Sequence, residues 1–434
     1  LTDSIGFGVD NGKTSGFASY GIFQKKLYNN LKKFFKLNKN RIPYFYFKRK
    51  SSELNLQNIF FQNFSLHKYL NTSPSNTNLL KVIKNYKTKD VAKTGEKLIM
   101  DILTDFINFN VKKQKNFNLV CSGGLFHNVA INQHLIDNLK FKNVFFTMSA
   151  GDGGLGLGLA SEEFEKINNK KINSSHKNKF SRLGITPFLG PSFKKKEILQ
   201  LIKNISDIKF KIINKNINKK ISELVYKGKI LGIFRGRAEY GPRSLGNRSI
   251  IADPRKLKSK TKINHLIKRR DWFMPFAPAV IKEKYYNYFS KKSESLYMQT
   301  SPKANRMFQK IAKAGVHIDN SSRVQIVEKK INKNFWEIIN YFGKKTGCYS
   351  VLNTSFNRHG ISTIGHPQQA LDHLLNNSID ILILENFLIY KKNGNKKNNN
   401  NNLLNKINFS ESKLLNEHEK IYKQKLKKLK YKLI

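Results

Sequence analysis

The sequence predicts an α/β protein of two domains joined by a polar linker. Three observations predict it. Short apolar runs alternate with stretches of helical periodicity, the pattern of layered strands and helices. Several of these runs open directly into glycine-rich turns. A Lys/Asn/Ser-rich stretch, 166–184, separates two such patterns.

The elements follow in order. LTDSIGFGVDNG (1–12) reads as a strand end and a turn, and 25–90 shows no assignable pattern. From Thr94, the residues Leu98, Ile99, Ile102, Leu103, Phe106 and Ile107 recur at helical spacing. FNLVC (117–121) is a short apolar strand, and SGGLFHN turns from it into a helix over about 128–139. VFFTM (144–148) is a second strand, followed by SAGDGGLGLGLA. Beyond the linker, 221–226 is helical and KILGIF (229–234) is a strand. CYSVLN (348–353) and IDILIL (379–384) are strands flanking a helix near 368–375. After Tyr390 the chain becomes KKNGNKKNNNNN, which cannot bury a core. Tyr422, Leu426, Leu429 and Leu433 then share one helical face among lysines. That face suits a solvated tail, with contact to a membrane or a partner as the alternative.

Composition narrows the function classes. The 434 residues carry 80 Lys+Arg against 29 Asp+Glu, a net charge of +51. Such excess suits a polyanionic partner. Here, however, lysine rises everywhere together with Asn, Ile and Phe, including poly-Asn at 398–402. That spread reads as compositional drift, so nucleic acid is the less favoured partner. No apolar run reaches the roughly 18–20 residues of a membrane span. Two cysteines, Cys121 and Cys348, make no disulfide or metal framework and suit a cytoplasmic protein.

The densest chemistry is GRAEYGPRSLGNRSIIADPR (236–255), placed directly after a strand, where α/β folds hold ligands. Arg235, Arg237, Arg243 and Arg248 can fork onto phosphate or carboxylate oxygens. Gly236, Gly241 and Gly246 let backbone approach a ligand, and Glu239 can orient an arginine. VLNTSFNRHG (351–360) clusters Asn353, Thr354, Ser355 and Asn357 after another strand, which suits a phosphate, ribose or base. VHIDNSSRVQIV (316–327) adds His317, Asp319, Arg323 and Gln325. In the first domain, CSGGLFHNVAINQ (121–133) and SAGDGGLGLG (149–158) are both strand, glycine-rich loop and helix, a geometry that aims backbone N–H groups at phosphate. Asp152 can bind a metal, position a nucleotide or cap a helix.

Taken together, these motifs resemble the O-carbamoyltransferase family of nodulation and antibiotic-tailoring enzymes. That family's signature is close to GRxExGPRxLGNRSIxADPR. PFAPAV (275–280), HIDNSSRVQ (317–325) and LNTSFN (352–357) follow in the family's order, and the two glycine-rich loops match the end of its first domain. The resemblance spans about residues 90–390.

It implies a first domain of actin/hexokinase-like ATPase fold similar to Kae1, over 1–165, and a second similar to YrdC, over 185–391, with a tail at 392–434. The second domain would use ATP and carbamoyl phosphate to make a carbamoyl-adenylate. The first, with a divalent metal (iron or magnesium), would pass the carbamoyl group to a hydroxyl of a small acceptor. The implied catalytic set is Arg235, Arg237, Glu239, Arg243, Arg248, Lys268 and Arg270. The implied nucleotide and carbamoyl phosphate set is Gly123, Gly124, Asn128, Asn132, Gly241, Asn247, Ser249, His317, Arg323, Asn353, Thr354, Ser355 and Asn357. The implied metal ligands are Asp152 and Asp3. A homodimer is compatible with this picture.

Three departures accompany the resemblance. The HxxxHA segment of the first domain is not in the sequence, so an N-terminally truncated domain is expected, with its metal site lost or completed by another chain. Ile361 and Ser362 stand where the family commonly has Glu-Pro. The basic tail lies outside the family pattern. Two rival readings remain at this level: a tRNA threonylcarbamoyl-adenosine factor, and a non-catalytic nucleotide-binding remnant.

Overall fold

A computed structural model describes residues 11–37, 43–45, 79, 81–111, 117–168, 186–290 and 294–392. Asp3, most of the expected linker and the apolar face from Tyr422 to Leu433 lie outside the described residues. The chain divides into two compact units, and residues 118–137 and 141–168 cluster with the later part of the chain.

The first unit is mainly helical. Its described elements are the helices Asn11–Ala18, Lys25–Lys32 and Thr88–Asn110, with the short antiparallel pair β1 (Phe35–Leu37) and β2 (Pro43–Phe45). The long helix starts before the expected Thr94. Asp90 in its first turn, where a carboxylate complements the helix dipole, also accepts from the Ile22 N–H at 2.8 Å. Its buried stripe is Val91, Ala92, Thr94, Gly95, Leu98 and Ile107.

The second unit holds two sheets. The smaller pairs β3 (Asn118–Cys121) with β4 (Asn143–Phe146) in parallel, with the helices Val129–Asn138 and Leu155–Asn168 following each strand. The larger has eight strands: β5 (Ile208–Ile212), β6 (Leu231–Phe234), β7 (Arg248–Ala252), β8 (Ala277–Ile281), β9 (Gln325–Val327), β10 (Ser350–Ser355), β11 (Ile381–Leu384) and β12 (Phe387–Lys391). Their spatial order is β5-β12-β11-β6-β7-β10-β8-β9.

The α/β class is therefore realised as a mixed sheet. Only β6–β11 and β8–β9 run parallel, and the other neighbours are antiparallel. Both faces are covered, so alternate side chains along each central strand enter different cores. Leu231, Ile233, Ile251 and Val351 pack with the helices Ile217–Tyr226 and Lys333–Thr346. Phe234, Ile250, Ala252 and Leu352 pack with Ile198, Ile202, Leu371 and Leu374 on the other side. The loop between β6 and β7, residues 235–247, emerges from the middle of this sheet.

Candidate functional site

That loop is built around its own charged side chains. Glu239 Oε1 accepts from the backbone N–H groups of Leu245, Asn247 and Arg248 at 2.7, 2.8 and 3.1 Å. So Glu239, expected to orient an arginine, gathers the loop's backbone instead. Gly246 closes the turn at φ +119, where a Cβ would come within 2.5 Å of Phe335. Ser249 Oγ accepts from the Gly246 N–H at 2.9 Å, and Asn247 Nδ2 donates to Arg237 O at 2.7 Å.

All four motif arginines direct at least one donor at the protein, and Arg248 directs the most. Arg248 is fully buried. It donates to the carbonyls of Arg235, Asn247, Pro191 and Gly236 at 3.0–3.2 Å, and its guanidinium lies 3.5 Å from the Phe234 ring centroid. Burial lowers its pKa to about 10, against the opposing pull of Glu239 and Glu385. Arg235 donates to Asn218 Oδ1 at 2.6 Å, and Arg237 donates to the carbonyls of Gly190 and Leu189.

Arg243 belongs to a different group. Together with Lys268, Arg270 and Arg323 it forms a half-buried to buried cation cluster. Lys268 ends a π-helical turn, Ile263–Lys268, and Arg269 follows in the left-handed region at φ 50, which throws Arg270 inward. Lys268 is 2% exposed and bonds Ser355 Oγ at 3.0 Å, Asn357 Oδ1 at 2.6 Å and the Ser355 carbonyl. Arg270 Nε donates to Asn264 Oδ1 at 2.7 Å and lies over the Phe276 ring.

The electrostatics of the cluster are one-sided. Burial, then Arg270 and Arg323, hold the Lys268 ammonium well below the ordinary lysine range. Burial, then Arg243 and Arg270, do the same to Arg323. Burial lowers Arg243, and it lowers Arg270 to about 10 with only Asp271 opposing. Among the described residues none of the four makes an ion pair. Arg323 Nε is buried without a hydrogen-bond partner. Such an arrangement is costly unless an anion compensates it.

A layer of amides supports the cluster. Asn353 Nδ2 donates to Ser244 O at 3.0 Å and to Gln325 Oε1 at 2.7 Å, and Gln325 Nε2 donates to Leu245 O at 2.9 Å. Thr354 lies between Asn353 and Ser355, so its side chain points to the opposite face of β10. His317 approaches the Phe273 carbonyl at 3.4 Å and Asp319 at 3.7 Å. Burial alone would raise the Asp319 carboxyl. His317, both donors of Ser321 and Lys303 outweigh it and hold that group well below the usual carboxylate range. Gln325, noticed but not assigned a role by sequence reasoning, and Asn264, which carried no signal, are the supports that the motifs did not announce.

The glycine-rich loops of the smaller sheet meet the same motif. Arg243 Nη2 donates to His127 O at 3.1 Å, and Tyr240 Oη donates to Gly153 O at 2.6 Å. Gly241 stands at φ +91, where a Cβ would meet Met148 O at 2.9 Å. The Gly151 N–H donates to His127 Nε2, and burial, then Arg243, lowers the His127 pKa. Gly123 and Gly124 have open space at their Cβ positions. Asn128 Oδ1 caps the following helix through the Ala130 and Ile131 N–H groups, and buried Asn132 Nδ2 donates to the carbonyls of Phe126 and Gln299. Asp152 is exposed. Among the described residues no three His, Cys, Asp or Glu side chains come together as metal ligands. Asp3, the other expected ligand, lies outside the described residues.

Fold and site together define a mixed α/β protein with a buried, uncompensated cation cluster beside glycine-rich loops. Residues 1–161 match the family model described as the carbamoyltransferase N-terminus, and 222–391 match that of the carbamoyltransferase C-terminus. The chain belongs to the carbamoyltransferase family. It is 30% identical over 398 residues to an uncharacterized protein of Methanocaldococcus jannaschii, covering 90% of this chain and 61% of that protein. It is 31% identical over 277 residues to nodulation protein NolNO of Sinorhizobium fredii, covering 63% of this chain and 40% of that protein. The chain thus spans less than two thirds of the length of these curated relatives. Full-length HypF in its phosphate- and nucleotide-bound form is similar at 16% identity and a TM-score of 0.28, over 43% of this chain and 22% of that one. That likeness is too slight to carry a fold assignment. No described helix is long and apolar enough to cross a membrane.

Proposed function

We propose that the chain is an ATP-dependent O-carbamoyltransferase, and that the eight-stranded unit performs the adenylation half-reaction. In this reading the large sheet with its covering layers is the YrdC-like part, and the loops around β3 and β4 belong to the Kae1-like part. Carbamoyl phosphate loses inorganic phosphate to water and yields carbamate. A carbamate oxygen then attacks the α-phosphate of ATP, forms carbamoyl-adenylate and displaces pyrophosphate. Transfer to a hydroxyl of a small acceptor releases AMP.

The observation that carries this reading is the cluster of Arg243, Lys268, Arg270 and Arg323, with no ion pair among the described residues. Two or more anionic groups balance such a charge, and preorganised cations stabilise charge that develops as phosphate leaves. The metal expected from the resemblance has no described cluster of ligands, so no step is assigned to it.

The direct test is carbamoyl phosphate-dependent pyrophosphate release from ATP, on the wild-type chain and on Arg243→Ala. Removing one such donor is expected to slow release by about 10²–10³-fold. A well-folded wild-type chain that binds neither phosphate compound overturns the reading.

The same cluster predicts a proton-linked affinity. The buried Lys268 is hard to protonate, because desolvation and two neighbouring arginines disfavour its charge. A bound phosphate dianion favours that charge. Binding at a pH above the lowered Lys268 pKa therefore takes up a proton, and affinity falls as pH rises through that pKa. Calorimetry in buffers of different ionisation enthalpy measures the uptake, and Lys268→Met is expected to abolish it.

A further inference from the structure

We propose that Ser244 and Asn353 form an amide-recognising subsite beside the cation cluster, selecting a carbamoyl over an acetyl group. The inference rests on the carbamoyl phosphate reading above and names what distinguishes that substrate.

The argument begins with two buried atoms. Asn353 is 0% exposed and Ser244 is 3% exposed. Neither Asn353 Oδ1 nor Ser244 Oγ has a hydrogen-bond partner. A loose amide oxygen often signals a misassigned amide, but the network fixes this one. Leu245 O and Ser244 O are carbonyls and can only accept. Gln325 must therefore turn its Nε2 to Leu245 O, which leaves Oε1 toward Asn353. Asn353 must answer with Nδ2, which serves both Gln325 Oε1 and Ser244 O. Its Oδ1 is thus a buried acceptor that the protein leaves unused.

Both loose atoms sit next to the cations. Ser244 directly follows Arg243. Asn353 shares a face of β10 with Ser355, which holds Lys268. Gln325, bonded to Asn353, is two residues from Arg323. In this proposal a ligand whose phosphate lies among these cations presents its acyl end to Ser244 and Asn353.

The chemistry then separates two close analogues. Carbamoyl phosphate presents an NH₂ donor and a carbonyl acceptor beside its phosphate. The NH₂ group satisfies Asn353 Oδ1, and the Ser244 hydroxyl donates to the carbonyl oxygen. Acetyl phosphate has nearly the same shape and charge, but its methyl group leaves Asn353 Oδ1 unsatisfied. Sites built around a buried acceptor reject the ligand that lacks the donor.

The test compares binding of carbamoyl phosphate, acetyl phosphate and inorganic phosphate to the full chain by calorimetry. Wild type is expected to prefer carbamoyl over acetyl phosphate by about ten- to a hundredfold. Ser244→Ala is expected to weaken both acyl phosphates alike, because both present the carbonyl that its hydroxyl serves, and to leave inorganic phosphate binding unchanged. Asn353→Leu is expected to abolish the preference. If that variant does not fold, the wild-type preference and Ser244→Ala together decide, because Ser244 Oγ makes no hydrogen bond within the protein. Equal binding of the two acyl phosphates by wild type overturns the subsite and leaves the anion site intact. Equal weakening of all three phosphates by Ser244→Ala also overturns it and makes Ser244 a support of Arg243. Failure of all three phosphates to bind overturns the parent reading and this one with it.

Discussion

Replacing Arg323 by methionine is expected to raise the stability of the chain and to remove its activity. The two effects share one cause. Arg323 sits among Arg243 and Arg270, its Nε unpartnered, and makes no ion pair with any described residue. In the empty protein its charge is desolvated and repelled, so a methionine of similar length removes a cost and keeps the packing. A gain of about 1–2 kcal/mol is expected in urea unfolding, with an unchanged m-value. Pyrophosphate release is expected to fall about 10²–10³-fold, because one of the four cations proposed to bind phosphate is gone. Saturating phosphate should then stabilise wild type and not the variant. A variant that is less stable than wild type in phosphate-free buffer would mean that Arg323 is a structural residue and not a ligand-binding one.

How far the sequence showed this site depends on which residues are considered. The arginine- and glycine-rich stretch at 236–255 is conspicuous, and so is the Asn353–Asn357 turn, whereas the stretch with His317 and Arg323 is weak alone and gains meaning only from the family resemblance. What the linear pattern could not show was which donors the fold consumes. Arg237 and Arg248 look like Arg243 in the sequence, but several backbone carbonyls take their guanidinium donors, whereas Arg243 gives one to His127 O and Arg235 one to Asn218. Those acceptors come from distant segments such as 189–191, so no local pattern reveals them. Asn264 anchors Arg270 from inside a π-helical turn, and a lone asparagine in a lysine-rich helix carries no signal.

The fold was legible to a similar degree. KILGIF and IDILIL were readable because their apolar runs are continuous, as buried strands require. β8 was not, since Pro278 interrupts it although it lies between β10 and β9. β7 was hidden inside the arginine motif, because Arg248 and Ser249 break the apolar run that Ile250 and Ile251 continue. The mixed strand order was equally hidden. Alternating helices and strands specify layers, whereas antiparallel pairing across 100 residues, as between β7 and β10, depends on tertiary contacts.

Arg248→Met is expected to destabilise the chain by about 3–5 kcal/mol, the opposite sign to Arg323→Met. The side chain fills a fully buried site at the start of β7 and satisfies the carbonyls of Pro191, Arg235, Gly236 and Asn247. Methionine leaves those acceptors without a donor in a dry environment, and the stack on Phe234 is lost with them. Lysine is not a conservative replacement, because one ammonium cannot reach carbonyls arranged around a planar fork. Urea unfolding of Arg248→Met and Arg248→Lys is therefore expected to give large losses for both. A stable Arg248→Met that no longer binds carbamoyl phosphate would place Arg248 with Arg243 at the ligand instead. The contrast between positions 248 and 323 separates two roles that the same residue type plays in one unit of the fold. One arginine is held by the protein and stabilises the loop. The other is left unheld, and its charge is available to an anion.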